Sequence, residues 1–217
     1  MVLSVSACRS DEKTESESSG PLLAAEAGPG PEITTIGFSR EDTVLHYTLD
    51  IRYPAIRGEE VFNDAVRANL EKAINEFTTF IQDFHTEGRV MRSEFQLVQN
   101  TSLVTSVRQM YEWAVPGTST LQYRFYNVNF SPEAREIITL GSLFKEGKDY
   151  RELLAKRLSE RIRARFKVEV EVTPEDLETF VIGPGYLEFY KVLYPEVMDP
   201  EPKAFQVQFS ELERVLK

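Results

Sequence analysis

The side chains that most often carry enzyme chemistry are scarce in this sequence of 217 residues. One cysteine, Cys8, excludes a disulfide within the chain, and two histidines, His46 and His85, leave little material for a zinc site or a Ser-His-Asp triad. We therefore expect no catalytic residue, no metal and no cofactor. A cluster of carboxylates, typical of the first turn of a helix, is formed by Glu171, Glu175, Asp176 and Glu178.

Aromatic side chains near predicted turns are the strongest candidates for ligand binding, and we expect them to be exposed. A flat ring offers a large apolar area and loses little conformational entropy when it is bound. An alternative interpretation, which the pattern leaves open, assigns these rings to the cores of two sheets. The five candidates are Tyr111, Trp113, Tyr126, Tyr186 and Tyr190.

Residues 1–8, MVLSVSAC, resemble the end of a bacterial lipoprotein signal. Small residues precede Cys8 as they precede the lipidated cysteine of a lipobox, although a complete signal also has a basic segment and an apolar run of about 7–15 residues. We predict that Cys8 is the acyl acceptor, which would anchor the protein to a membrane outside the cytoplasm, in the periplasm or at the cell surface. The alternative is a chance cysteine near a flexible end.

Residues 9–32 are rich in Ser, Glu, Gly and Pro and show no sustained hydrophobic period. Such a segment cannot bury enough apolar surface to offset its ordering entropy, so we predict a disordered tether.

The overall composition indicates a folded protein, because 41% of the residues are hydrophobic. The net charge of −10 argues against nucleic acid as a partner and would steer a basic partner toward the surface. No apolar run approaches the roughly 18 residues that a membrane-spanning helix requires.

Two long amphipathic helices are predicted from apolar residues spaced three or four apart. The first extends from Glu59 to Phe84, and four phenylalanines lie in its apolar stripe. The second extends from Tyr150 to Phe166, with Asp149 as its N-cap. A short helix is expected after Thr173, and Ser210 with Glu213 predicts a final short helix.

The remaining segments alternate as strands and come in groups joined by hairpin-length links. Strands are predicted around residues 45–53, 91–99, 103–114 and 121–130, and Gly183-Pro184-Gly185 predicts a later hairpin. The change of apolar phase at Phe125-Tyr126 indicates a β-bulge or burial on both faces. The order favours an α+β fold with antiparallel sheets and two similar-sized subdomains, residues 33–117 and 118–217.

Two stretches resemble a bacterial envelope family. The first is YTLDIRYPAIRGEEVFNDAVRANLEKAINEF, residues 47–77, and the second contains YNVNF, ITLGSLFKEGKDY and LEFYKVLYP. Residues 33–117 resemble the N-terminal part of PdaC-type proteins, in which the region accompanies a peptidoglycan deacetylase. Residues 118–217 resemble the extracellular domain of unknown function of the anti-sigma factor RsiV. The sequence contains no deacetylase domain, so the resemblance does not imply that catalysis.

The resemblance implies a non-catalytic, lipid-anchored envelope protein that binds an envelope protein or a peptidoglycan-related glycan. Two alternatives remain open at this point. One is a glycan hydrolase whose carboxylates meet in a cleft between the two halves, and the other is a structural partner in an envelope complex.

Overall fold

The computed structural model describes residues 27–82, 89–114, 121–199 and 201–217. Its elements form two sheets and three helices. In chain order they are β1 (Ile33–Asp42), β2 (Tyr47–Ile56), α1 (Glu60–Gln82), β3 (Arg89–Asn100), β4 (Thr105–Ala114), β5 (Leu121–Ser131), β6 (Glu136–Ile137), α2 (Tyr150–Phe166), α3 (Pro174–Leu177), β7 (Val181–Gly183), β8 (Tyr186–Lys191) and β9 (Lys203–Gln208).

The larger sheet has six strands in sequence order, from β1 at one edge to β6 at the other. The predicted α+β class is confirmed, but the pairing of β2 with β3 is parallel, whereas every other neighbouring pair is antiparallel. The reason is that α1 connects these two strands and returns the chain to the end at which β2 began.

Helix α1 covers one face of this sheet. The predicted apolar stripe is confirmed, since its buried residues are Phe62, Val66, Leu70, Ala73, Phe77 and Ile81. The start of the helix is tied to the end of β2, because the Asn63 side chain accepts from the Ile56 N–H and donates to the Ile56 carbonyl, both at 2.9 Å.

Helix α2 begins and ends where the sequence predicts. The Asp149 carboxylate accepts the Glu152 N–H at 3.1 Å, which satisfies one of the free donors of the first turn. The helix ends at Phe166 and is capped by Lys167, which adopts a left-handed conformation with φ 62°. Its buried residues, Leu154, Leu158 and Ile162, belong to the core that also contains the smaller sheet.

The smaller sheet has three antiparallel strands in the order β7-β8-β9. The predicted glycine turn joins β7 to β8, and Gly185 has φ +83°, a conformation that other residues rarely adopt. A Cβ atom at Gly183 would lie 2.2 Å from the Tyr186 ring, so a larger residue would displace that ring.

The predicted short C-terminal helix is present as a 3-10 helix at Phe209–Glu211, although its cap differs from the predicted one. The predicted cap at Ser210 and Glu213 is replaced by Gln208 and Glu211, because the Glu211 carboxylate accepts the Gln208 N–H at 3.0 Å and the Arg161 guanidinium at 2.5 Å. The predicted helix after Thr173 is confirmed as α3, with a reciprocal cap between Thr173 and Asp176.

The hydrophobic interior consists of a core beneath α1 and a second core around α2 and the smaller sheet. The predicted boundary at 117/118 falls between β4 and β5, which pair from Thr105–Phe130 to Ala114–Leu121. The larger sheet therefore continues across that position. The change of core falls later, because Ile137 packs in the α1 core and Ile138 in the second core.

Strand β5 is buried on both faces, as one of the two sequence interpretations states. Its register with β4 is regular, and the irregularity in this sheet lies in β3, between Leu97 and Gln99. Tyr126, Val128 and Phe130 face the α1 core, while the residues between them face the smaller sheet.

Candidate functional site

A polar seam joins the larger sheet to β7. The buried Asn129 donates to the Phe180 carbonyl at 3.1 Å and accepts the Ile182 N–H at 3.0 Å. The same N–H lies 2.9 Å from the hydroxyl of Ser106, and Asn127 donates to the Phe180 carbonyl at 3.3 Å. Asn127 and Asn129 are the alternate positions of the YNVNF motif, so the motif fixes where the smaller sheet packs on the larger one.

A cleft of about 420 Å³ opens beside this seam. The floor of the cleft is the face of β3, β4 and β5 that points away from α1. Tyr190 of β8 and Pro202, just before β9, line the opposite side of the cleft. This volume lies in the range of small-ligand sites, about 300–1,000 Å³.

The inner end of the cleft is a set of mutually satisfied polar groups. The Glu188 carboxylate, 9% exposed, accepts Gln206 Nε2 at 2.8 Å and the hydroxyl of Tyr190, and it lies 3.5 Å from Arg108 Nη1. Burial lowers the pKa of Arg108, and the charge of Glu188 opposes that effect. The charges of Arg108 and Glu188 therefore offset each other.

Aromatic rings line the middle of the cleft. Phe125 stacks on Tyr190 with ring centroids 4.9 Å apart, and the Arg108 guanidinium lies 4.2 Å from the Tyr190 centroid. Tyr190 is thus held on two sides by protein groups, whereas Phe125 and Tyr123 are half-buried and border the open space. These two rings are the ones that a ligand can touch.

The outer rim is acidic. Glu94 and Glu112 line the cleft and have no ion pair within the described ranges, and Glu201 lies 4.0 Å from Lys203. Burial first, and then the charges of Glu112, Glu201 and Asp199, raise the pKa of Tyr123. Arg92 stands opposite Glu112 on the same face of the sheet, but the three carboxylates outnumber it, so the open part of the cleft has a net negative charge that favours cationic groups.

The opposite face of the larger sheet has a shallower groove, of about 830 Å³, along α1. Glu76 links the helix to the sheet, because its carboxylate accepts Arg124 Nε at 3.0 Å and the hydroxyl of Tyr126. Burial first, and then this bond to Glu76, raise the pKa of Tyr126. Trp113 lines the groove, and its Nε1 has no hydrogen-bond partner among the described residues.

The five aromatic residues singled out in the sequence do not form one site. Tyr111, Trp113 and Tyr126 lie on the α1 face of the larger sheet, whereas Tyr186 and Tyr190 belong to β8. The expectation of exposure is wrong for three of them, since Tyr111, Trp113 and Tyr190 are 0%, 2% and 6% exposed. The alternation of β4 directs Tyr111 and Trp113 into the α1 core, and Tyr190 is covered by Phe125 and Arg108 of the larger sheet.

Tyr111 is an interior residue in its hydrogen bonds as well. Its hydroxyl accepts Gln109 Nε2 at 2.8 Å, and Gln109 in turn accepts Asn69 of α1 at 3.1 Å. Burial raises the pKa of Tyr111, so the ring remains neutral. It supports the sheet and does not reach the cleft.

Other predicted features have separate outcomes. Cys8, the tether up to residue 26 and His85 lie outside the described residues. Within the described ranges no three His, Cys, Asp or Glu side chains converge in a way that could hold a metal ion. None of the described helices is long and apolar enough to cross a membrane.

The residues of the cleft that sequence reasoning missed are Arg108, Phe125 and the carboxylates Glu94 and Glu112. The sequence feature that could have identified them is the alternation of β3, β4 and β5, which places these side chains on one face of the sheet. The sequence could not indicate that β8 would cover part of this face, because that contact joins residues about 80 positions apart.

The whole fold is similar to that of two solved bacterial proteins. A DUF3298 family protein from Pseudomonas aeruginosa PAO1 superimposes with a TM-score of 0.63 at 11% identity, covering 86% of this chain and 95% of that chain. A member of the same family from Bacteroides fragilis gives 0.58 at 16% identity, covering 88% and 96%. The chain has the fold of these proteins. No protein-family profile and no curated protein matches the sequence.

DUF3298 denotes a bacterial domain of unknown function, so the likeness describes architecture and carries no activity with it.

Proposed function

We propose that the protein is a non-catalytic binding module of the bacterial envelope, anchored through a lipid on Cys8, that binds a peptidoglycan-related ligand in the cleft between the two sheets. The observation that carries the proposal is the combination of half-buried aromatic rings with an acidic rim. Phe125 and Tyr123 offer apolar faces to sugar rings, and Glu94 and Glu112 offer acceptors to hydroxyl and amino groups.

The size of the cleft favours a glycan fragment or a short peptide over a broad protein surface. A cleft of about 420 Å³ fits a few sugar or peptide units, whereas a standard protein interface buries about 1,600 Å². The envelope setting is supported by the lipobox-like residues before Cys8 and by the bacterial origin of the structural neighbours.

The test uses the full chain with Cys8→Ser, which removes the lipid and leaves the folded part unchanged. Isothermal titration with a disaccharide peptide that carries a free amine, and with the same fragment after N-acetylation, measures the contribution of the positive charge. We expect binding of the free amine, weaker binding of the acetylated form and a loss of affinity as salt rises.

Variants assign the binding to the cleft. Glu112→Gln and Phe125→Ala are each expected to weaken binding about tenfold or more. Glu71→Gln is the matched control, because Glu71 is an acidic residue of the groove along α1, on the other face of the sheet. Equal losses for Glu71→Gln and Glu112→Gln would contradict the cleft as the site. Retention of a basic protein such as lysozyme, with no affinity for cell-wall fragments, would make the ligand a protein.

A carboxylate-dependent glycan hydrolase is the second candidate, and one observation favours it. Glu94 faces Met110 and Glu112 faces Arg92 across the β3–β4 pair, so Glu94 and Glu112 are diagonal neighbours, about 7–8 Å apart. Glycosidases place two carboxyl groups at about 5–9.5 Å. Release of reducing ends from cell-wall glycans, abolished by Glu94→Gln and by Glu112→Gln, would establish this candidate instead.

A further inference from the structure

The first strand of the larger sheet leaves a long edge open. β1 pairs with β2 along its full length, from Ile33–Ile56 to Asp42–Tyr47, and no described residue pairs with its other side. All of its residues from Thr34 to Glu41 are exposed. The opposite edge of the sheet is the two-residue strand β6, which offers little backbone for pairing.

This edge lacks two of the features that usually prevent strands from pairing between molecules, and its charged residues are confined to one end, Arg40 to Asp42. β1 contains no proline and its register with β2 has no bulge. Two large apolar residues remain exposed in it, Ile36 at 41% and Phe38 at 38%. They stand opposite Tyr53 and Ile51 of β2, so they extend the α1 face of the sheet beyond the area that the helix covers.

We propose that β1 pairs in an antiparallel manner with β1 of a second copy of this chain, around a two-fold axis at Ile36. The two six-stranded sheets would then form one continuous sheet. The surface is separate from the cleft, so this proposal stands or fails independently of the ligand.

The register follows from symmetry and charge. A two-fold axis perpendicular to the sheet places the same face of both copies on the same side of the joined sheet. Because directly opposed residues point to the same face, even-numbered residues must then pair with even-numbered ones. The axis therefore passes through a residue position. With the axis at Ile36, Glu32 faces the partner's Arg40 and Thr34 faces the partner's Phe38. Each of these contacts occurs twice, and the two Ile36 side chains meet at the centre.

Neighbouring registers are less favourable. An axis at Gly37 would place Glu32 opposite the partner's Asp42, which opposes like charges twice. An axis at Phe38 would place Glu32 beyond the end of the partner's strand and remove its ion pair. Only the register centred on Ile36 combines a central apolar pair with two opposite-charge pairs.

Sedimentation equilibrium of the full Cys8→Ser chain at concentrations up to about 100 µM tests the association. We expect a monomer–dimer equilibrium, and Ile36→Lys should raise the dissociation constant at least about tenfold, because two ammonium groups would then face each other. The matched control is Leu97→Lys, since Leu97 is 40% exposed in β3, away from the edge. A chain that remains monomeric throughout, or a dimer insensitive to Ile36→Lys, would overturn the proposal.

Cysteine cross-linking in the same background tests the register. Directly opposed residues have Cα atoms about 4.5–5.5 Å apart, within disulfide range, so Ile36→Cys should form a covalent dimer under mild oxidation. Phe38→Cys should not, because the two copies of that position would be about 13 Å apart along the strands. Cross-linking through Phe38→Cys in preference to Ile36→Cys would overturn the register.

Discussion

The backbone N–H of Ile182 donates to the side-chain oxygen of Asn129 at 3.0 Å, and this bond joins β7 to the larger sheet. Both residues are buried, and Ser106 donates to the same oxygen at 2.5 Å. An amide side chain thus satisfies backbone groups that no neighbouring strand pairs with. The seam therefore fixes the position of the smaller sheet beside the cleft.

Removal of this amide should destabilise the protein. Asn129→Ala removes one of the two bonds made by the Ile182 N–H and by the Phe180 carbonyl, and it takes away the acceptor of the buried Ser106 hydroxyl. A buried donor left without its acceptor costs about 1–3 kcal/mol. We expect the free energy of unfolding in urea to fall by about that amount. The exposed Asn75 is the control, since Asn75→Ala should change it by less than about 0.5 kcal/mol. Equal stability of Asn129→Ala and the wild type would show that the seam is not needed.

The N-cap of α2 gives a smaller and more local prediction. Asp149→Ala removes the acceptor of the Glu152 N–H and should lower the free energy of unfolding by about 1 kcal/mol. Asp149→Asn should retain most of the stability, because the amide oxygen can accept the same bond. The control is Glu146→Ala in the preceding turn, and a loss of the same size there would mean that general charge, not capping, is responsible.

The pH dependence of stability should report on Glu211. Burial raises the pKa of this carboxyl group, but the Gln208 N–H bond and the charges of Arg161 and Arg157 outweigh it and hold the pKa below 4.5. A folded-state pKa below the unfolded value means that the ionised group contributes stability above about pH 4.5. That contribution is lost as the pH falls through the folded-state pKa.

Unfolding curves from pH 7 to pH 3 for the wild type and Glu211→Gln test this sign. We expect the difference in unfolding free energy to be largest near neutrality and to close in acid. Glu213→Gln serves as the control, because Glu213 is exposed and has no ion pair in the described part of the chain. A difference that is constant with pH would contradict the role of the ionised Glu211.

Lipidation at Cys8 is tested in a bacterial host. The protein, expressed behind a complete lipoprotein signal, should incorporate labelled fatty acid and sediment with membranes. Cys8→Ser should lose both properties, and Ser6→Ala, which retains a small residue before the cysteine, should keep them. Label in the Cys8→Ser protein would contradict the predicted anchor.

Much of the fold follows from local patterns. The stripe of α1, the cap at Asp149 and the turn at Gly183-Pro184-Gly185 each depend on residues close in sequence, and each is confirmed. The predicted cap of the final helix, Ser210 with Glu213, is wrong because Glu211 caps it instead and forms an ion pair with Arg161, 50 residues away, which a local pattern cannot reveal. The sequence does not predict the parallel pairing of β2 and β3, because the relative direction of the two strands depends on the path that α1 takes between them.

The candidate site was less accessible from the sequence. The sequence pattern leaves the aromatic residues near turns open as binding or core residues, and the face of the sheet on which each lies decides between the two. Trp113 and Met110 lie on opposite faces of β4 because they are three positions apart. Only the placement of β8 over the even-numbered face distinguishes the cleft from the core.

The most direct test of the central claim is NMR of the Cys8→Ser chain during titration with the free-amine disaccharide peptide. Trp113, the single tryptophan, reports on the groove along α1, and the methyl group of Met110 reports on the cleft. We predict that the Met110 methyl resonance shifts with saturation while the Trp113 indole resonance stays fixed. A shift confined to the Trp113 indole would contradict binding in the cleft.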